Sequence, residues 1–263
     1  MTPEDSFESA QYLASHAKAE FLDFKDMVKT LTESNHGAVV VEKNTKTNMN
    51  ELIVRAKPLP HRMRGIASNI IKNLRDALDQ AVHGASFHIS GKAKRCCHFP
   101  FGSSPDDLKK AIRLNQCKDI APELYPILAS FEPFPTGDLY EGGNNVLRLL
   151  GRISGPHKHR VTLITTPVVN ERCILPGSSI KFGKGGGEIM PPIVKDGEAV
   201  IVAVGKGGEA NLNVSATFFV SFSHPHLRQI DALDFLGELV ATVTKIVQDL
   251  QAEALAIGPR PSE

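Results

Sequence analysis

The 263-residue chain sets 30 Lys and Arg against 29 Asp and Glu, a formal charge of +1, so no whole-molecule field draws it to nucleic acid or a membrane surface. With 41% hydrophobic and 22% charged residues, it has the composition of an ordinary globular protein long enough to bury a core without staples. Four irregularly spaced cysteines, Cys96, Cys97, Cys117 and Cys173, do not suggest a disulfide framework, and the acidic start MTPEDSFESA with no long apolar run argues against a secretory leader or a spanning helix, so the expectation is a soluble, cytoplasmic protein.

From Ser6, the residues Phe7, Ala10, Ala14, Ala17, Phe21, Phe24, Val28 and Leu31 recur at spacings of three and four, which places them on one stripe of a long helix. Docking on its own domain is the plain reading of that stripe. A homodimeric coiled coil is the sharper one, weakened by three small alanines in the seam. Two β-rich runs, Gly37 to Glu42 and Glu51 to Ala56, flank the polar stretch Asn44 to Asn50 and suggest a hairpin. Pro58 and Pro60 then stop the second strand.

A helix is expected from about His61 to about Ala85. Met63, Ile66, Ala67, Ile70, Ile71, Leu74, Ala77, Leu78, Ala81, Val82 and Ala85 fill an arc of roughly 160°. Such width implies burial against more than one neighbour, which makes this the central helix. Arg75 and Asp79 fall at the margin of the arc, facing each other at i, i+4. Farther on, Ser104 with Pro105 at N1 opens a short helix, a second spans Pro122 to Phe131, and a third begins at Asn144 and runs through Leu150. Strand-like runs follow at Arg160 to Val169, Ala199 to Val204 and Asn211 to Phe222, separated by glycine-dense turns. From about Pro225 the stripe Leu227, Ile230, Leu233, Leu236, Val240, Val243, Val247, Leu250 returns to helix and continues to about Ile257.

The order predicts an α+β fold with N-terminal helices and a β-hairpin, a mainly antiparallel C-terminal sheet and a long closing C-terminal helix. The organisation expected is one α+β domain over 1–263. Within it, 1–155 is helix-rich with the hairpin, 156–257 is strand-rich with the closing helix, and 258–263 is a tail.

Several chemistries find no support. The repeated GKGG at 183–186 and 205–208 lacks the Ser or Thr of a phosphate loop and reads as two strand-joining turns that need positive φ. Cys96-Cys97-His98 has neither the spacing nor the second pair of a zinc site, so no metal is expected. No G-x-S-x-G or H-E-x-x-H occurs, and no cofactor is implied. What remains is Arg152-Ile153-Ser154-Gly155-Pro156-His157-Lys158-His159-Arg160, a dense set of cationic donors at a helix-to-strand junction, suited to a small anion or a phosphate-containing ligand.

NLRDALD in the central helix, Phe99-Pro100-Phe101, the helix LRLLGRIS and KHR at a strand start together resemble a family of uncharacterised bacterial proteins. The likeness spans about Leu52 to Leu250. Asn73, Leu74, Arg75, Ala77, Leu78 and Asp79 match the helical motif, and Lys158, His159 and Arg160 the junction. Lys72 stands where that family often has histidine, and His157 where it often has an acid. The resemblance implies membership and no reaction.

The candidate site is therefore Asn73, Arg75, Asp79, Lys158, His159 and Arg160. In it, Asp79 accepts a hydrogen bond from His159 or Lys158 while Arg75 braces the same carboxylate from one turn away. This is a polar latch in a structural or binding protein. The rival reading is a metal-independent ribonuclease of the HEPN kind, whose Arg-x4–6-His spacing is met by Arg152 with His157 or His159. Gly155-Pro156 breaks that helix, and Arg75 and His83 lie too far apart. Nucleic acid and membrane are disfavoured as partners, and a homodimer stays open.

Overall fold

The computed structural model describes residues 5–33, 37–56, 58–92, 95–154, 163–168, 179–195, 198–211, 217–222, 227 and 230–260. In chain order these form α1 (Asp5–Glu33), β1 (Gly37–Lys43), β2 (Asn50–Ala56), α2 (His61–Ser90) and α3 (Pro105–Ala111). Two 3-10 turns at Asn115–Cys117 and Pro122–Leu124 precede α4 (Tyr125–Ser130) and α5 (Asn145–Ile153). Then come β3 (Leu163–Val168), β4 (Ser179–Lys181), β5 (Lys184–Lys195), β6 (Glu198–Lys206), β7 (Glu209–Asn211), β8 (Thr217–Phe222) and α6 (Ala232–Ile257). The fold is α+β, with N-terminal helices, a β-hairpin, antiparallel strands and a closing helix. Among the described residues no helix is long and apolar enough to cross a membrane.

The chain divides into two compact units, one mainly helical and one that holds the strands with the end of α1 and the start of α2. One comprises Met1–Phe24, Gly65–Val161 and Asp234–Glu263; the other comprises Lys25–Arg64 and Thr162–Leu233. The hairpin thus belongs with the strands and most of the closing helix with the helices. Periodicity identifies elements, but which of them share a core depends on contacts distant in sequence.

In the helical unit, α2 buries Ala67, Ile70, Ile71, Leu74, Ala77, Leu78, Ala81, Val82 and Ala85, and its last turns add Ile89. The expected arc is therefore buried except for the half-buried Ile66, and the helix extends beyond Ala85 to Ser90. Ser86 shares this buried face, its Oγ accepting the Ala121 N–H at 3.2 Å. α1 lays Phe7, Ala10, Ala14, Ala17 and Phe24 into the core. It hydrogen-bonds α2 through Glu20 with Asn69 and Asn73, and α6 through Gln11 with Gln251. The alanines that make a poor dimer seam allow this close intramolecular docking. α3 starts as its sequence predicts, with Ser104 Oγ accepting the Asp107 N–H and Pro105 at the first position. α5 starts with Asn144 Oδ1 accepting the Leu147 N–H.

In the strand unit, the hairpin β1–β2 pairs Gly37 with Ala56 through Lys43 with Asn50 and joins a four-stranded antiparallel sheet in the order β1-β2-β6-β5. β3 pairs with β8 and β4 with β7, both antiparallel. Leu52, Val54, Ala199, Ile201, Val202 and Val204 form the core cluster of the two central strands. Leu52 pairs with Val202 and Ile53 with Val200, which leaves Ile201 as the extra residue of a bulge. That offset lets Ile201 and Val202 both be buried despite the alternation a regular strand imposes.

Two sequence expectations differ here. The glycine-dense stretch from Lys184 enters a twelve-residue strand, β5, although glycine and the Pro191-Pro192 pair weaken any strand signal. The sheet accommodates it at an edge, where the register shifts between Ile189 and Ile193 bracket both prolines and no ladder needs their missing N–H groups. The closing helix begins at Ala232, well after Pro225, because Asp231 Oδ1 accepts the Leu233 N–H at 2.7 Å and caps it there. The second GKGG piece is a turn, whereas the first runs from the bridge residue Gly183 into the start of β5, with Gly186 and Gly207 at φ of 78° and 79°. The two pieces abut: a Cβ on Gly183 would lie 2.3 Å from the Gly208 nitrogen.

Candidate functional site

Asp79 projects from the middle of α2 toward the extended segment 95–102, and that segment supplies most of its partners. The Phe99 N–H donates to Oδ1 at 2.8 Å, and His98 Nδ1 lies 3.0 Å from Oδ2. Since the carboxylate accepts, this pairing puts the His98 proton on Nδ1. Arg75, one turn earlier, reaches Oδ1 with an Nη at 3.1 Å and donates with its other Nη to the Phe99 carbonyl at 3.3 Å. One peptide, Phe99, is thereby gripped at both its N–H and its C=O by an i, i+4 pair of one helix.

The aromatic rings of the same segment close the arrangement. The Arg75 guanidinium lies 4.6 Å from the centroid of Phe101, a cation–π contact. Phe101 meets Phe99 edge-on at 5.3 Å. Gly151 of α5 touches the ring so closely that a Cβ there would come within 2.7 Å of Phe101 Cδ1. Burial lowers the pKa of Arg75 below the ordinary arginine value, while the Asp79 charge opposes the shift. That opposition is the electrostatic expression of the pair, whose side chains are only 19% and 20% exposed.

Cysteines surround the latch without forming a metal centre. Cys117 Sγ donates to the His98 carbonyl at 3.2 Å, and the Cys96 N–H donates to Asp119 Oδ2 at 3.1 Å. Burial pushes the Cys117 thiol up to about 11, with Arg75 pulling the other way, so at neutral pH it is a protonated donor rather than a nucleophile. Cys96 and Cys117 are free thiols. Among the described residues no three His, Cys, Asp or Glu side chains are placed to hold a metal ion.

Of the candidate residues, Arg75 and Asp79 meet as the i, i+4 spacing predicts. Asn73 is turned away: two residues rotate a helix by roughly 200°, and its amide bonds Glu20 at 3.1 Å and lies 3.2 Å from His16 Nδ1, both on α1. Lys158, His159 and Arg160 lie outside the described residues, as do His157 and Cys173. The histidine that binds Asp79 among the described residues is His98. Sequence reasoning had weighed His98 only as a metal ligand beside Cys96 and Cys97. The available signal was adjacency, since His98 directly precedes the FPF motif. Periodicity places residues on a helix face, but it does not say which extended segment crosses that face.

A second polar cluster lies on α3 and α5. Arg148 is partly buried, and its Nε is enclosed without a hydrogen-bond partner. Burial, and then the positive charge of Arg152, lower its pKa, with Asp107 opposing. Asp107 is committed elsewhere, its Oδ2 accepting from the Ser103 N–H at 2.7 Å and the Ser103 hydroxyl at 2.8 Å. These bonds hold the Asp107 carboxyl below its usual value. α3 and the residues after it line an open groove of about 540 Å³, bounded by Asp106, Lys109, Lys110, Arg113 and Leu114.

No family model matches the chain, and neither a curated protein nor a solved structure matches it.

Proposed function

We propose that the protein is a non-catalytic structural and binding protein. In this reading the Arg75–Asp79–His98 latch fixes the segment 95–102 on α2, and cations at the end of α5 and in the following run His157 to Arg160 take up a small phosphate-type anion. The observation that carries it is the engagement of both Asp79 oxygens by Phe99, Arg75 and His98. A general acid or base must reach the proton it moves, whereas this carboxylate spends its acceptors on its own chain. Arg75 is likewise spent, on Asp79, the Phe99 carbonyl and the Phe101 ring, so it offers no open fork to a ligand.

The test is thermal unfolding of wild type and Asp79→Ala in phosphate and in chloride of equal ionic strength. Phosphate should raise the wild-type Tm by mass action. Asp79→Ala should lower Tm in both buffers and leave the phosphate increment unchanged. Cleavage of RNA by the purified chain in EDTA, lost in His159→Ala, would replace this reading with the nuclease.

A further inference from the structure

We propose that β1 is a pairing edge for a second copy of this chain, and that two β1 strands join antiparallel about a twofold axis at Val40, so that the two four-stranded sheets become one.

The physical case begins with an edge that the sheet leaves open. β1 stands at one end of the order β1-β2-β6-β5, and among the described residues no strand pairs with its other side. The Asn44 N–H donates to the Met49 carbonyl at 2.8 Å and closes the hairpin. The alternation of an antiparallel ladder then turns the backbone groups of Ala38, Val40 and Glu42 toward β2 and those of Gly37, Val39, Val41 and Lys43 away from it. Such edges are ordinarily blunted by proline, a bulge or an inward charge. β1 has no proline, and its register with β2 runs unshifted from Gly37 to Lys43, whereas the ladders of β6 with β2 and with β5 both shift. Val39 and Val41 stand opposite Val54 and Leu52, so they carry the face of the core cluster outward. Both are exposed. The apolar face reaches the margin and ends there uncovered.

A second β1 supplies what is missing, because the strand is complementary to itself. Centred on Val40, the antiparallel register pairs every residue from Gly37 to Lys43 and sets Val39 against the partner's Val41. It also sets Glu42 against the partner's Ala38 and Lys43 against the partner's Gly37, so no like charges stand opposite each other. The neighbouring registers that keep the outward groups paired are poorer. One step toward the hairpin turn sets Lys43 against the partner's Val39, and the next sets Glu42 against the partner's Glu42. One step the other way sets Val41 against the partner's Gly37. Since the same patch serves both copies, the contact is isologous and closes as a dimer.

Sedimentation velocity of the full chain across a concentration series tests the proposal. Wild type should be a dimer, and Val41→Pro should weaken association at least about tenfold. The Val41 N–H points away from β2, so the proline removes a donor from the open edge and none from the hairpin. Val39→Lys makes the same test without a backbone change. The register has its own readout, which needs neither variant. In the proposed pair the two Val40 residues face each other at a non-hydrogen-bonded position, with Cα atoms about 4.5 Å apart, within reach of a disulfide. Val40→Cys treated with oxidised glutathione should give a covalent dimer, joined at position 40 by peptide mass spectrometry, and Glu42→Cys should not link to itself. A wild-type chain that stays monomeric at about 100 μM overturns the proposal, even if it captures an unrelated extended peptide. So does a dimer that survives both edge variants without linking at position 40, since its interface lies elsewhere. A link at position 42 in place of 40 overturns the register and with it the axis at Val40.

Discussion

Each unit of the molecule contains one ionised side chain shared among several partners. In the helical unit Asp79 gathers Arg75, His98 and the Phe99 amide, with the Asp79 and Arg75 side chains 20% and 19% exposed. In the strand unit Arg55 on β2 ties Glu42 of β1 at 2.9 Å and Glu198 of β6 at 2.6 Å, with side chains 37%, 50% and 42% exposed. The strap is the shorter in distance and spans three strands. Arg55 is nonetheless held above its ordinary pKa, and Glu42 below its own, by contacts that water and salt can replace. The latch sits where replacement means leaving a charge or a peptide group stranded. Surroundings, more than bond length, decide which of the two the fold depends on.

The largest expected effect is Asp79→Ala, which leaves the Arg75 guanidinium and the Phe99 amide unsatisfied at once and should cost about 3 kcal/mol in chemical denaturation. A loss no greater than that from Arg55→Ala would break the comparison. Cys117 gives the next test. Its thiol titrates at about 11 when folded against an ordinary 9.0, so the unfolded chain releases this proton first. The stability it contributes is complete below pH 9 and is lost as pH rises toward 11, by about 2–3 kcal/mol. Cys117→Ser should flatten that alkaline decline.

Gly151→Ala asks whether Phe101 can move from its place over Arg75. The added methyl meets the ring at 2.7 Å, and overpacking of this kind should cost about 2 kcal/mol. His98 is 41% exposed, so His98→Ala should cost only about 1 kcal/mol. A double-mutant cycle with Asp79→Ala should show coupling, and additive losses would separate His98 from the latch. The smallest effect is expected for Arg55→Ala, close to the limit of detection and erased by molar salt.

Much of this architecture could be read in the residues. The stripe from Met63 to Ala85, the cap Ser104, the helix near Asn144 and the hairpin turn beginning at Asn44 are local features, and each was visible because its cause lies within a few positions. β5 was hidden because glycine and proline suppress local strand propensity, while an edge position tolerates both. The grouping of the hairpin with the later strands depends on β2 pairing with β6, about 150 residues away. In the latch, Arg75 and Asp79 were legible as an i, i+4 pair. His98 was not, since its contact depends on how the loop of 95–102 crosses α2. The burial of Arg148 was invisible too, because an arginine on a short helix ordinarily reads as solvated surface.

The four-stranded sheet has unequal margins. β5 ends it on one side with Pro191 and Pro192 inside a register shift, which denies a newcomer a continuous row of donors. β1 ends it on the other with no proline and with Val39 and Val41 44% and 61% exposed. A sheet that can be extended from one margin only adds a single neighbour and then stops. Among the described residues, edge pairing at the β1 margin would therefore add one strand without offering a second margin for a fibre.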